Sequence, residues 1–147
     1  MNFTPSRSFL ALFVSLTFVA CRSEPDTTAI RAVIEAQQAA WNNGDIDGFM
    51  NGYDRAETTT FISGDELTRG WQTVLDRYKR RYGSQAQMGK LTFSEIDFQP
   101  IDASHVLADG RWRLQLANDS PHGRFTLLFR RTGNGWKIVH DTTTSAE

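Results

Sequence analysis

The closing segment GWKIVHDTTTSAE holds the two side chains best suited to chemistry, His140 and Asp141. A histidine titrates near neutral pH and an aspartate accepts protons, so both types serve general acid–base catalysis. Their spacing works against a dyad. On a regular strand neighbouring side chains point to opposite faces, which groups His140 with Trp136, Ile138 and Thr142, and Asp141 with Lys137 and Val139. His140 is then a lone histidine on an otherwise apolar face, a setting in which a hydrogen-bonded core histidine is commoner than a ligand. Tyr53 is the third catalytic candidate. A phenol there can donate to a developing oxyanion, although tyrosines in such places more often pack the ring and wet the hydroxyl.

The remaining titratable residues do not form a recognisable centre. His105, His122 and His140 lie on three separate segments without HxH or HExxH spacing, and the single cysteine, Cys21, forms neither an internal disulfide nor a cysteine-based zinc site. No metal or cofactor is expected from these patterns. The formal net charge is −1, which gives no basic stripe for a nucleic-acid backbone. Arg77, Lys79, Arg80 and Arg81 therefore read as a solvated helix face. Arg69 stands where the third helix begins, just before Trp71, while Arg111 and Arg113 flank Trp112 from the opposite strand face. Aromatic residues supply the broader signal: Trp41, Tyr53, Phe61 and Trp71 on the first half, Trp112, Phe125 and Trp136 on the second. Such residues either fill a core or line a pocket for a small apolar ligand.

Several elements must position these residues. Ile30, Val33, Ile34, Gln37 and Trp41 recur with helical spacing after a capping Asp26 or Thr27, and Asn42-Asn43-Gly44 ends that helix. Asp45 caps a short second helix carrying Ile46, Phe49, Met50 and Tyr53 on one face, weakened by Gly48 and Gly52. Residues 57–63 read as a strand, 64–66 as a turn, 68–83 as a third helix with Trp71, Val74, Leu75, Tyr78 and Tyr82 inside, and 83–89 as a polar loop. Four strands follow. The first, 91–101, slips phase near Ser94-Glu95, which calls for a bulge. The next two, 105–116 and 123–131, alternate, and Gly133-Asn134-Gly135 turns the chain into the last. Helices gathered early and hairpin-linked strands gathered late mean an α+β fold, a curved antiparallel sheet wrapped around three N-terminal helices.

The first 20 residues are expected to lie outside that fold. Arg7 precedes an apolar run from Phe9 to Ala20, too short for a bilayer-spanning helix of about 20 residues and of the length of a signal-peptide core. Phe18-Val19-Ala20-Cys21 resembles a bacterial lipobox, in which the cysteine is acylated and becomes the mature N-terminus. That resemblance implies a signal peptide at 1–20, a lipidated Cys21 with a short tether at 21–26, and a domain at 27–147 anchored to a membrane and facing the periplasm or exterior.

Four segments carry a further resemblance: AAWNNGDIDGFMNGY (39–53), TRGWQTVLDRY (68–78), GKLTFSEIDF (89–98) and HGRFTLLFRRTGNGWKIVHDTTTS (122–145). They resemble the SnoaL-like branch of the nuclear transport factor two-like superfamily, the cone fold that also holds ketosteroid isomerase and the SnoaL-like polyketide cyclases. The resemblance implies a cone-shaped barrel, a pocket between the helices and the concave face of the sheet, and a homodimer through the sheet's outer face. Isomerases and cyclases of this fold place an acid where the first strand ends, whereas this chain reads Phe61-Ile62-Ser63-Gly64 there. The branch typically closes on HDHTS, and Thr142 stands where its second histidine would be. The expected function is binding of a small hydrophobic molecule by the aromatic set above, with Arg69 and His140 at its edges. The alternatives are an enzyme of the cyclase, isomerase or dehydratase kind using His140, Asp141 and Tyr53, and a non-catalytic dimeric scaffold. Acylation makes one prediction: the parent chain should fractionate with membranes and carry acyl mass, and Cys21→Ala should be released without it, as intact-protein mass spectrometry of the two fractions would show.

Overall fold

The computed structural model describes Pro25 and residues 27–146. The expected signal peptide, the lipidated Cys21 and the cap Asp26 lie outside the described residues. The elements run α1 (Thr27–Asn42), α2 (Ile46–Met50), β1 (Thr60–Ser63), β2 (Glu66–Arg69), α3 (Trp71–Arg81), α4 (Gln85–Met88), β3 (Lys90–Pro100), β4 (His105–Gln115), β5 (His122–Thr132) and β6 (Gly135–Thr143). The fold is α+β, and one six-stranded sheet has the order β2-β1-β6-β5-β4-β3.

Two expectations about the sheet need correction. It is mixed rather than antiparallel, because β1 lies parallel to β6, with Thr60 opposite His140 and Phe61 opposite Asp141. It is also an open curved sheet, with β2 and β3 at its edges, and does not close as a barrel. The third helix starts later than its apolar spacing suggests. Thr68 and Arg69 belong to β2, which pairs antiparallel with β1 and places Thr68 opposite Phe61. A two-residue turn at Gly64-Asp65 makes that hairpin, and β-branched Thr68 suits a strand at least as well as a helix. The polar segment after Gly83 contains the one-turn α4.

The core sits between the helices and the concave face of the sheet. Helix α1 buries Ile30, Ile34, Gln37 and Trp41, the stripe expected of an amphipathic helix. Gly44, at φ 77°, takes the left-handed conformation that lets the chain leave α1. Asp45 then caps α2 by accepting from the Gly48 N–H. Polar side chains of α1 also fasten the edge strand. Asn42 donates to the Leu91 carbonyl at 3.0 Å and accepts from the Leu91 N–H at 2.7 Å, and Gln38 accepts from the Phe93 N–H at 2.7 Å.

Two irregularities set the faces of the long strands. The expected bulge in β3 is present: its register with β4 shifts between Ser94 and Asp97, and Glu95 adopts φ 52°. The second lies in β6. Leu128 pairs with His140 but Phe129 pairs with Ile138, so Val139 is an extra residue without a partner in β5. A bulge inverts the side-chain alternation beyond it. Trp136 and Ile138 point into the core before the bulge, and Asp141 does so after it.

Gly110 shows how closely the concave face is filled. It lies opposite Phe125 in the β4–β5 ladder, and a Cβ at this position would enter the Phe125 ring. Gly110→Ala should therefore destabilise the fold by about 1–3 kcal/mol, measurable as a lowered urea midpoint.

Candidate functional site

A cavity of about 130 Å³ opens between the helices and the concave face. Its inner end holds one carboxylic acid. The Tyr53 hydroxyl donates to Asp141 Oδ2 at 2.6 Å and the Thr143 hydroxyl donates to Oδ1 at 2.9 Å. Asp141 is 4% exposed and Tyr53 is 2% exposed.

Local backbone structure brings these groups together. The chain after α2 forms an isolated parallel bridge between Tyr53 and Ile138. Ile138 donates to the Gly52 carbonyl at 2.9 Å and its own carbonyl accepts from the Asp54 N–H at 2.9 Å. Tyr53 is thus held to β6 just before the Val139 bulge, and the bulge turns Asp141 to meet its hydroxyl. Thr143, two residues on, shares Asp141's face. Beside them, Gln37 lines the cavity with its amide nitrogen committed to the Phe49 carbonyl at 3.1 Å.

The walls are aromatic. Trp41 meets Phe49 at 5.2 Å and Tyr82 at 4.7 Å between ring centroids, both edge-on, and Tyr78 lies 5.3 Å from Phe49 and 5.4 Å from Phe61. Across from them Phe93 and Phe125 form another edge-on pair at 5.3 Å. Such geometry sets positive ring edges against negative faces. The lining residues Arg81 and Ser145 are exposed, and Phe93 and Trp112 are half-buried, so the cavity opens on their side.

Burial governs the electrostatics at the inner end. Removal from water favours the neutral acid and lifts Asp141 from 3.8 to about 6, against the opposing pull of the hydrogen bonds from Tyr53 and Thr143. Burial likewise raises Tyr53 well above the usual phenol range, and the neighbouring Asp141 charge adds to it. Tyr78 is raised by the same two causes in the same order, while a hydrogen bond with Tyr53 works the other way. Both phenols are therefore neutral at physiological pH, and Tyr53 donates to Asp141. Asp141 changes its charge just below neutrality, which fits it to accept or release a proton.

The structure brings together some of the residues expected from the sequence and separates others. Trp41, Tyr53, Phe61, Trp112, Phe125 and Asp141 all line the cavity. His140 does not. The bulge at Val139 breaks the alternation on which its grouping with Trp136 and Ile138 rested. His140 faces the outer side of the sheet, with Nε2 3.0 Å from the Thr142 hydroxyl. Trp136 is buried in the core away from the cavity lining. Trp71, the first residue of α3, lies off the cavity lining and donates to the Met50 carbonyl at 3.0 Å beneath the Arg55 guanidinium. Arg69, at the end of β2, is exposed and also lies off the lining. Among the described residues no three His, Cys, Asp or Glu side chains converge as a metal site would require.

Sequence reasoning did not assign Arg77, Tyr78, Arg81, Tyr82 or Thr143 to the site, although all line it. Tyr78 and Tyr82 were legible as the inner face of α3, and Arg77 and Arg81 are four residues apart on the adjoining stripe. The acid that the resemblance expects at the end of the first strand comes instead from the strand beside it, where Asp141 is in register with Phe61.

Comparison with known proteins places this geometry among related domains. The SnoaL-like domain family matches residues 30–143. An NTF-2 like protein of unknown function from Shewanella oneidensis MR-1 shares 33% identity, covering 80% of this chain and 98% of that one, with a TM-score of 0.78. A domain of unknown function with a cystatin-like fold from Nostoc punctiforme is 20% identical over 83% of this chain and 78% of its own, with a TM-score of 0.71. A ketosteroid isomerase-like protein from Erwinia carotovora atroseptica is 14% identical over 82% of this chain and 95% of its own, with a TM-score of 0.65. The latter two share the fold. No curated protein matches the chain.

Asp141 makes a prediction with a defined sign. Its folded pKa is raised, so the native state binds the proton more tightly than the unfolded chain does. The stability this contributes is fully present below about pH 4 and is lost as pH rises through about 6. A shift of this size corresponds to roughly 3 kcal/mol. Asp141→Asn keeps the shape without the charge: its carboxamide oxygen still accepts from one of the two hydroxyls, and its amide nitrogen donates to the other. Relative to the parent it should gain about 2–3 kcal/mol between pH 4 and pH 7, read from urea unfolding of both proteins at the two pH values.

Proposed function

The chain belongs to the SnoaL-like domain family, and from that premise we propose that its cavity binds a small, mostly apolar molecule by one polar group. The observation that carries this reading is the single carboxylic acid at the end of an aromatic cavity, fixed by Tyr53 at 2.6 Å. The cavity volume is on the order of the roughly 150 Å³ that admits a benzene-sized guest, which suits a ligand of about one ring. Aromatic walls contribute apolar contact, and Asp141 with Tyr53 selects for a hydroxyl or carbonyl that reaches the inner end.

A second reading has its own support. An acid raised to about 6 inside a cavity and hydrogen-bonded to a neutral phenol is suited to proton transfer. In that reading Asp141 moves the proton and Tyr53 steadies charge on the substrate oxygen, as in an isomerase, cyclase or dehydratase. His140, on the opposite face, takes no part. The anchoring expected from Cys21 would set the domain on a membrane facing the periplasm. Dimerisation through the outer face of the sheet is supported by Leu107 and Leu128, half-buried register partners whose neighbours along each strand all point inward.

Phenol titrated against tryptophan fluorescence tests the binding reading, because Trp41 and Trp112 both line the cavity. The expected outcome is a saturable change that weakens about tenfold in Tyr53→Phe. No saturable change in the parent protein would overturn it. For the second reading, the full chain should catalyse deuterium exchange next to the carbonyl of a small cyclic ketone, and Asp141→Asn should abolish that exchange while retaining phenol binding.

A further inference from the structure

The mouth of the cavity carries a charge that the binding reading leaves unused. Two arginines and one carboxylic acid line the cavity: Arg77, Arg81 and Asp141. Arg77 is engaged. Its guanidinium meets Glu66 at 3.0 Å, donates to the Thr68 hydroxyl at 2.7 Å and lies over the Phe61 ring at 4.9 Å. Arg81 is different. Its guanidinium carbon lies 5.8 Å from the centroid of the Tyr82 ring, and it forms no ion pair with any described residue. It is exposed, on the side where the cavity opens. An arginine without an ion-pair partner at a pocket mouth offers a planar fork of donors, the form that fits a carboxylate.

The inner end sets the opposite condition. Asp141 is buried, and a second negative charge beside it would meet repulsion in a low-dielectric setting. An anionic ligand can therefore enter only with its charge at the mouth and its neutral end inward. Between the two ends lie Phe93, Phe125 and Trp112, with Tyr82 on the helix side. These faces suit a ring.

We infer that the ligand class is a small aromatic or alicyclic carboxylic acid, its carboxylate on Arg81 at the mouth and its hydroxyl or carbonyl on Tyr53 and Asp141 within. This deepens the binding reading of the same cavity and rests on it. Arg81 is then the specificity residue, and it acts without support from Arg80, which is adjacent on α3, exposed and absent from the cavity lining.

The test compares 4-hydroxybenzoate with its methyl ester on the full chain, by tryptophan fluorescence with calorimetry as a check. The two probes share ring and phenol and differ in charge. The acid should bind about fivefold tighter than the ester at low salt, the scale of a partly exposed ion pair. The preference should shrink as salt is added. Arg81→Gln should bring acid and ester within about twofold of each other, chiefly by weakening the acid, and Arg80→Gln, which removes the same net charge, should keep the preference. Equal binding of the two probes to the parent, or loss of preference in Arg80→Gln as in Arg81→Gln, overturns the inference while the binding reading stands. Weakening of acid and ester alike in Arg81→Gln overturns it too, by making Arg81 a packing residue. If neither probe nor phenol binds, the binding reading fails and the inference falls with it.

Discussion

One unpaired residue in the last strand decides the character of the cavity. Without Val139 as an extra residue, strict alternation would carry the inward face from Trp136 and Ile138 to His140 and turn Asp141 to the outside. With it, an acid replaces an imidazole at the inner end. Everything polar there depends on that inversion: the Tyr53 hydroxyl has an anionic or acidic partner at 2.6 Å, Thr143 shares the face, and burial has a carboxyl group on which to act. The bridge between Tyr53 and Ile138 lies immediately before the bulge, so the same stretch of backbone both supplies the acid and holds its partner.

The opposite edge of the sheet is governed by a second constraint. Strand β3 has a free side, and an unpaired edge invites pairing with other chains. Here α1 meets that edge with amide side chains, Asn42 and Gln38, which take up main-chain groups of Leu91 and Phe93. Farther along, the bulge at Glu95 interrupts the pairing with β4, which resumes at Asp97, and the Glu95 carboxylate engages Arg111 at 2.7 Å and Arg124 at 3.5 Å. The helix that buries the concave core thus also occupies hydrogen-bonding capacity on the exposed border of the sheet.

Much of this was legible in the sequence, for identifiable reasons. Helical spacing located the inner faces of α1 and α3, and the alternation of Phe125, Leu127 and Phe129 located the concave face of β5, because long periodic segments average out local exceptions. The β3 bulge announced itself through a phase slip between Phe93 and Ile96, two apolar residues that cannot share a face on a regular strand. The β6 bulge left no such mark. The residues after it, His140 to Thr143, are polar or titratable, so a shift of phase among them changes no hydrophobic pattern. Strand β2 was hidden for a related reason: four residues ending in Thr68-Arg69 run directly into a helical stripe, and only the long-range pairing with β1 makes them a strand. The parallel placement of β1 beside β6 is likewise a fact of tertiary structure with no local trace.

That parallel pair governs when the cavity comes into being. The hairpins β3–β4, β4–β5 and β5–β6 join neighbours in sequence and close short loops, but Tyr53 and Asp141 are 88 residues apart. Contacts of that separation carry a large loop-closure cost and form late. The ribosome delivers α1, α2 and β1 long before β6, and for that interval Tyr53 has no carboxyl to meet and β1 has only β2 beside it. The acid, its phenol partner and the wall between them therefore arrive in one closing event, when the newest part of the chain folds back onto the oldest.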